Sequence, residues 1–569
     1  MNDIRRTILW VIFGFSMVLL WDQYQVSQGN RATFFPAPTS QASAPKAADG
    51  KSAAQDASIP AAVNGAAKAP VVAETAEPAK PKERFDVVTD VLKLTMDTEG
   101  GTLVRAELLK YADVEDKSKN FVLLDDSANR LYMAQSGVVG GTTGGAFPTH
   151  KTVMTPSGPH ELKDGENELV VKFTSPDVGG IKLVKTYTLR RGAYDIAVKH
   201  ELVNTSGTPQ SAQLYLQLVR DGNSPAGGSS FYSTFTGPAV YTEAKKFEKV
   251  DFADIKKNKA EFEKTTTNGY VAMVQHYFAS AWILPDGVQR NLSMDAVDIG
   301  SKLADCCYRA TIVAPLEPIA AGASKVVDAK LFIGPQEEKM LESLTPGLEL
   351  LKDYGHLTIL AKPLYWLLDK LHGFIQNWGW SIVALVLLLK IAFYWLNAKA
   401  YASMAKMKAI NPKIMEMRER LKDKPQQMQQ EMMRIYREEK VNPMGGCFPI
   451  MVQIPVFIAL YSVLLATVEM RGAPWALWVH DLSAPDPYYI LPLVMTLTTL
   501  LQTALNPAPP DPMQAKMMWI MPLAFSVMFF FFPSGLVLYW ITNNVLSIAQ
   551  QWLINTRMGV PPQFNLPKF

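Results

Sequence analysis

Lys390 stands in one of the most apolar stretches of the chain, WGWSIVALVLLLKIAFYWL from Trp378 to Leu396. A cation there acts through its charge. At membrane depth it costs on the order of 3 kcal/mol, and such residues mark a pathway or a partner. Lys390, Tyr394, Asn397 and Tyr401 recur at helical spacing and form one stripe, which runs back onto Val386 and Val383. The polar strip begins inside the apolar helix and opens toward one end. Two readings stand. The lysine stem snorkels past Leu396, ~9 Å of helix rise away, or the ammonium faces a polar recess.

Other apolar stretches repeat the pattern. Gln453 lies ~10 Å of rise inside the next one, and Asn543 and Asn544 lie at similar depth in the last. Tyr539, Asn543, Ser547 and Gln550 share a face there. Thr496, Thr498, Thr499, Gln502 and Thr503 weight the same half of a fourth stretch, and Ser526 interrupts a fifth. A single polar residue per helix glues helices together. Polarity shared at one depth favours a water-filled recess, which shortens the apolar path of a polar segment crossing a bilayer. Lys390 would attract acidic residues of that segment. Apolar faces with Phe457, Leu460, Met528 and Phe529 would let its helix slide into lipid, and burial of that helix would supply the work.

Other chemistries find little footing. Gly50-Lys51-Ser52 lacks the first glycine of a P-loop, since position 45 is proline, and no strand precedes it. His150, His160, His200 and His276 have no metal-ligand spacing and read as surface or core residues. No HExxH, no GxSxG and no paired acids occur within spans, so no enzyme, metal or cofactor is expected. Cys306 and Cys307 are adjacent and read as free, partly buried thiols; Cys447 stands alone. A net charge of +3 argues for no nucleic-acid partner.

The elements that position the polar residues follow from composition and period. Residues 1–24 hold Arg5 and Arg6 before the apolar run Ile8 to Trp21, and read as an uncleaved transmembrane anchor with a cytoplasmic N-terminus. Residues 25–84, rich in Ala and Pro, read as a flexible linker. Residues 85–335 alternate apolar and polar with turn signals between, as in ELVVKFTS and YDIAVKHELV, and read as an antiparallel β-sandwich. Gly140 to Gly145 reads as a loop, and Lys256 to Lys264 as a charged insertion.

Residues 336–377 turn helical. Leu364, Leu367, Leu368, Leu371 and Phe374 form the apolar face of an amphipathic helix lying in the membrane interface. A second span covers 378–397. Residues 398–443 carry eleven Lys and Arg and read as a cytoplasmic helical hairpin. In it, Asn411-Pro412 is a helix start, and Met415, Leu421, Met428, Met432 and Ile435 are the glue or a partner surface. Residues 444–553 hold four more spans, the last two joined tightly by Pro533-Ser534-Gly535, and 554–569 is a short cytoplasmic tail. The loop Trp475 to Asp486 has almost no Lys or Arg and belongs outside. The expected fold is thus a six-span α-helical membrane protein with both termini in the cytoplasm and a large external β-domain.

NPMGGCFPIMVQIPVFIALY, HDLSAPDPYYILP and FPSGLVLYW resemble the YidC membrane protein insertases, as does the layout of the whole chain. The resemblance implies a Gram-negative inner-membrane insertase and folding chaperone, acting alone or with the Sec translocon on nascent membrane proteins. It also implies a periplasmic β-supersandwich, similar to sugar-mutarotase folds without their activity. It places the groove cation at Lys390, the groove glutamine at Gln453 and an aromatic pair at Tyr539 and Trp540. Three departures stand out: lysine for the usual arginine, Val386 where a threonine is frequent, and Trp540 for a tyrosine. The short tail, with only Arg557 and Lys568, leaves a ribosome contact mainly to the hairpin 398–443. The competing readings are a solute transporter or proton relay built on Lys390, and a structural or sugar-binding envelope protein. The core shows no internal repeat of the kind transporters carry.

Overall fold

The computed structural model describes residues 57–63, 82–140, 146–225, 234–301, 303, 306–421, 424–439, 448–506, 512–557, 559 and 564. The expected anchor at 1–24, most of the linker, the loop 141–145, the NPMGG motif with Cys447 and most of the tail lie outside the described residues.

The alternating segments form two nine-stranded antiparallel sheets. In spatial order the first runs Arg84–Val88, Leu92–Asp97, Thr102–Ala112, Asn120–Asp126, Leu131–Gly140, Ala212–Arg220, Tyr308–Pro315, Arg290–Ala296, Thr265–Thr266. The second runs Lys246–Lys249, Thr236–Thr242, Tyr270–Gln275, Phe278–Ile283, Ser324–Pro335, Asp195–Asn204, Ile181–Arg190, Glu168–Val178, Thr155–Ser157. One core joins them, with Leu214, Leu216 and Leu218 from one sheet and Phe173, Tyr187, Trp282 and Phe332 from the other. In Glu168–Val178, Leu169, Val171 and Phe173 point inward while Glu168, Val170 and Lys172 face out, the period of two that makes a half-buried strand.

One sequence expectation changes here. Residues 57–63 of the supposed flexible linker are docked on the first sheet, held by Gln213, Gln217 and Arg309. The side chains of Cys306 and Cys307 lie against each other, with Cys307 buried. Of the four histidines, His150 and His200 are buried, His276 is half-buried and His160 is exposed.

Ten helices follow among the described residues. A short α1 (Phe252–Lys256) lies within the β half and ends where the charged insertion begins, and α2 (Glu338–Leu344) leaves it. Then come α3 (Thr358–Ile375), α4 (Trp378–Ala392), α5 (Tyr394–Arg420), α6 (Pro425–Glu438), α7 (Phe448–Ala466), α8 (Ile490–Leu505), α9 (Pro512–Met528) and α10 (Ser534–Arg557). No single described helix is long and apolar enough to cross a membrane. The pair α4 and α5, bent by 65° between Ala392 and Tyr394, meets that test together.

α3 is amphipathic, but its buried face is Ala361, Tyr365 and Leu368, flanked by Leu364, Leu367 and Leu371. Phe374 is 90% exposed. Pro412 lies inside α5 and does not start a helix. α5 and α6 pack against each other through Ile410, Ile414 and Met417 with Leu421, Met428, Met432 and Ile435, while Met415 turns outward.

The β half and the helices meet around Arg471. Its guanidinium lies 5.1 Å from the Phe121 ring and 5.3 Å from that of Phe278, and it donates to the Ala112 carbonyl. Lys117 pairs with Asp481 at 2.8 Å. The loop behind this contact is organised by buried Asp486, which accepts from Leu491 N at 2.7 Å and from Trp478 Nε1 at 3.1 Å, capping the start of α8. Ser534 N and Gly535 N donate to Ala484 O and Leu482 O, so the start of α10 is tied to the same loop.

Candidate functional site

Four helix segments enclose a small cleft of about 30 Å³, lined by Lys390, Asn397, Gln453, Tyr539 and Asn543 among Val386, Leu389, Phe393, Leu396 and Val456. α4 starts cleanly because Asn377 accepts from Trp380 N at 3.0 Å, and it carries Lys390 in its last turn. The chain then breaks at Phe393, so the expected stripe does not run along one straight helix. Gln550 Nε2 of α10 donates to the Lys390 carbonyl at 3.2 Å beside the break. The bend turns Tyr394 outward, 36% exposed, yet keeps Asn397 buried.

The polar groups converge on α10. Lys390 Nζ donates to Ser547 Oγ at 2.7 Å, and Ser547 Oγ donates to the Asn543 carbonyl at 2.7 Å. Tyr401 also hydrogen-bonds Ser547. Asn397 Nδ2 reaches Gln550 Oε1 at 3.2 Å, and Gln453 Nε2 donates to Asn543 Oδ1 at 3.0 Å across the cleft. Lys390 is 8% exposed and points at α10 instead of along its own helix to an end, which disfavours the snorkelling reading.

Other expected members lie elsewhere. Asn544 faces α8 and donates to Thr498 and Thr499 hydroxyls at 3.2 and 2.8 Å, so it joins helices. Thr496, Thr499 and Thr503 donate to carbonyls of their own helix, as Ser526 does in α9, and none lines the cleft. Trp540 packs edge-on against Phe457 at 4.8 Å and near Phe529 at 5.1 Å, beside the cleft and not in it. Of the expected sliding surface, Leu460 and Phe529 are sealed in the helical core, whereas Phe457 and Met528 are only partly covered. Ile454 and Ile458 on α7 and Phe525 on α9 are exposed apolar residues that the sequence reading missed; their neighbours' helical period would have indicated them.

The cleft sits at the end of the bundle remote from the β half. Gly379, at the opposite end of α4, is pressed on the Trp475 ring, where a Cβ would come within 2.3 Å. The Leu465 carbonyl, near the end of α7, accepts from His276 Nε2 of the β half at 3.0 Å. Gln453 is about 18 Å of helix rise from that contact.

The family profile for the YidC periplasmic domain matches residues 84–367, and that of the 60Kd inner membrane protein matches residues 370–560. A membrane protein insertase YidC from Cupriavidus necator is 54% identical over 565 residues, covering 98% of each chain. The chain belongs to the YidC family of membrane protein insertases. A relative from Ralstonia nicotianae, of the same description, is 52% identical over 560 residues and covers 98% of both chains. A crystal structure of an active YidC insertase with its first transmembrane domain resolved aligns with 83% of this chain and 92% of its own, at 18% identity and a TM-score of 0.37. Residues 84–367 of this YidC family member thus correspond to a periplasmic domain, here rich in antiparallel sheet. Family members of this kind are insertases, not enzymes.

Proposed function

We propose that the chain inserts and folds integral membrane proteins through the Lys390 cleft, which opens to the cytoplasm. The observation that carries this reading is a buried ammonium that shares an apolar helical cleft with Gln453 and Asn543, far from the β half. A polar tail entering there meets hydrogen-bonding groups and one positive charge, so less of its path lies in hydrocarbon. Its hydrophobic segment then leaves along Phe457, Met528 and the exposed Ile454 and Ile458.

The membrane arrangement belongs to the same proposal. Six spans include the anchor at 1–24, and the α4–α5 bend is a broken span. The loop holding Trp475 to Asp486 touches the β half, which supports placing both on the periplasmic side. The basic α5–α6 hairpin is then cytoplasmic, as are both termini. There it is the surface best fitted to a ribosome, while the Sec translocon is the partner for larger substrates.

Photocrosslinking from position 453 to a stalled nascent membrane protein tests the reading. A crosslink that disappears when the nascent hydrophobic segment is made polar is the expected result. Crosslinks to lipid or neighbouring helices alone would remove Gln453 from the path.

A further inference from the structure

Strand Ala212–Arg220 is buried on both faces, although it lies in a sheet with only one face on the sandwich core. Leu214, Leu216 and Leu218 face that core, so Gln213, Tyr215 and Gln217 point the other way. Their cover is the segment 57–63, Ala-Ser-Ile-Pro-Ala-Ala-Val, about 150 residues away in sequence.

The segment is held mainly by its backbone. Val63 N donates to Gln213 Oε1 at 2.9 Å, and Gln213 Nε2 donates to Val63 O at 2.8 Å. Five residues earlier, Arg309 Nη1 donates to Ser58 O at 2.9 Å and to Ala57 O at 3.2 Å, and Gln217 Nε2 reaches Ser58 O at 3.3 Å. Ile59, Ala62 and Val63 pack on Val139, Tyr215 and Val313. The Ser58 hydroxyl lies 3.2 Å from His150 Nε2, and His150 Nδ1 lies 2.7 Å from the Tyr215 hydroxyl. Gly137, directly across from Tyr215, makes room for that hydroxyl: a Cβ there would come within 2.4 Å of it.

The floor holds more hydrogen-bonding capacity than its occupant uses. Gln217 Oε1, Arg309 Nε and Thr311 Oγ1 are buried without a partner. Thr311 pairs across from Gln217 and lies on the same face as Arg309 and Val313. A buried polar group left unmade costs about 1–3 kcal/mol. Apart from Ser58, the segment offers this floor only apolar side chains.

We propose that this outer face is a peptide-binding site, that residues 57–63 are its resident and displaceable ligand, and that it takes in exchange an extended polypeptide with small apolar side chains and one amide side chain over Gln217 and Thr311. Two backbone clamps spaced five residues apart select an extended chain and read its sequence weakly. A tethered ligand has an effective concentration of about millimolar, so a peptide from outside enters measurably only when the tether is weakened. The site lies in the β half and does not depend on the Lys390 cleft.

The test uses the full chain in nanodiscs and a fluorescent peptide of residues 56–64. In the wild type, hydrogen exchange across 57–63 should be at least tenfold slower than in the free peptide, and Gln213→Ala should abolish that protection. A chain carrying Ile59→Asp and Val63→Asp, which alters no strand, should bind the peptide at least tenfold more tightly than the wild type. A peptide with asparagine at the Ser58 position should bind that chain more tightly still. Exchange across 57–63 as fast as in the free peptide overturns the proposal. So does failure of the doubly substituted chain to bind the peptide while its circular dichroism matches the wild type.

Discussion

Lys390 Nζ donates to Ser547 Oγ at 2.7 Å, which ties the buried cation of α4 to the middle of α10. Ser547 spends its own proton on the Asn543 carbonyl, so a lone pair is held toward the ammonium. The same α10 turn gives Gln550 to the Lys390 carbonyl beside the helix break. Position, direction and charge are thus set by one face of one neighbouring helix. An ammonium carries three donors. Among the described residues no carboxylate pairs with Lys390, which leaves its charge available to an acidic group in the cleft.

Lys390→Leu should therefore lower insertion of a small membrane protein with an acidic external tail by about tenfold, equivalent to about 1.4 kcal/mol. Lys390→Arg should retain most activity, because it keeps the charge. The same protein with a neutral tail should be far less sensitive to Lys390→Leu. Protease protection of the tail in reconstituted liposomes measures each case. Equal losses for acidic and neutral tails would make the lysine structural.

The Gln453–Asn543 bond makes a separate prediction about the cleft walls. Each alanine substitution should lower stability by about 1 kcal/mol, and the double substitution should cost little more than either alone. Denaturation of the detergent-solubilised chain gives the cycle. Additive costs would mean that the two side chains do not meet in solution.

Much of this site was legible because period and depth are written in the residues. Lys390, Gln453, Tyr539 and Asn543 converge as their helical positions imply. Depth without azimuth misleads, however. Thr498 and Thr499 sit at the right level but face Asn544, and Leu460 and Phe529 are apolar at the right level but buried. The break at Phe393 has no glycine or proline to announce it; a side chain 157 residues further on, Gln550, supports the freed turn. Pro412 announces a helix start that the structure does not use. The alternating strands were clear, whereas the docking of 57–63 depends on a surface far along the chain that composition cannot reveal.

Arg471 should hold the β half against the helices. It lies over Phe121, Phe278 and Tyr277, and each such contact is worth roughly 0.5–2 kcal/mol. Arg471→Ala should speed hydrogen exchange in the Ala112–Phe121 region by about tenfold. Arg471→Lys should resemble alanine more than wild type, since it keeps the charge and loses the planar stack. Lys117→Ala should change little, because its pair with Asp481 is well exposed on the lysine side. An unchanged exchange rate in Arg471→Ala would move the junction elsewhere.

The β half should become more stable as pH rises, through two buried bases in its core. Lys185 donates to Gly100 O at 2.6 Å and Ser136 O at 2.7 Å, and burial pushes its pKa down to about 7 from 10.5. Between those values the unfolded chain binds more protons than the native one, so stability climbs with pH across that window and is lowest below it. His200, 2.9 Å from the Ser136 hydroxyl, is pushed down by burial to about 3 from 6.5. The unfolded chain again takes the proton first, so stability falls as pH drops from 6.5 toward 3. Each unit of separation is worth about 1.4 kcal/mol. Urea unfolding followed by tryptophan fluorescence should show both slopes, with Trp282→Phe identifying the signal of this core, since Trp282 is fully buried 6.5 Å from the His200 ring. Lys185→Met should flatten the upper window and make the lower one shallower, because burial and then the Lys185 charge hold the His200 pKa down. An unchanged upper slope in Lys185→Met would assign that pH dependence to another group.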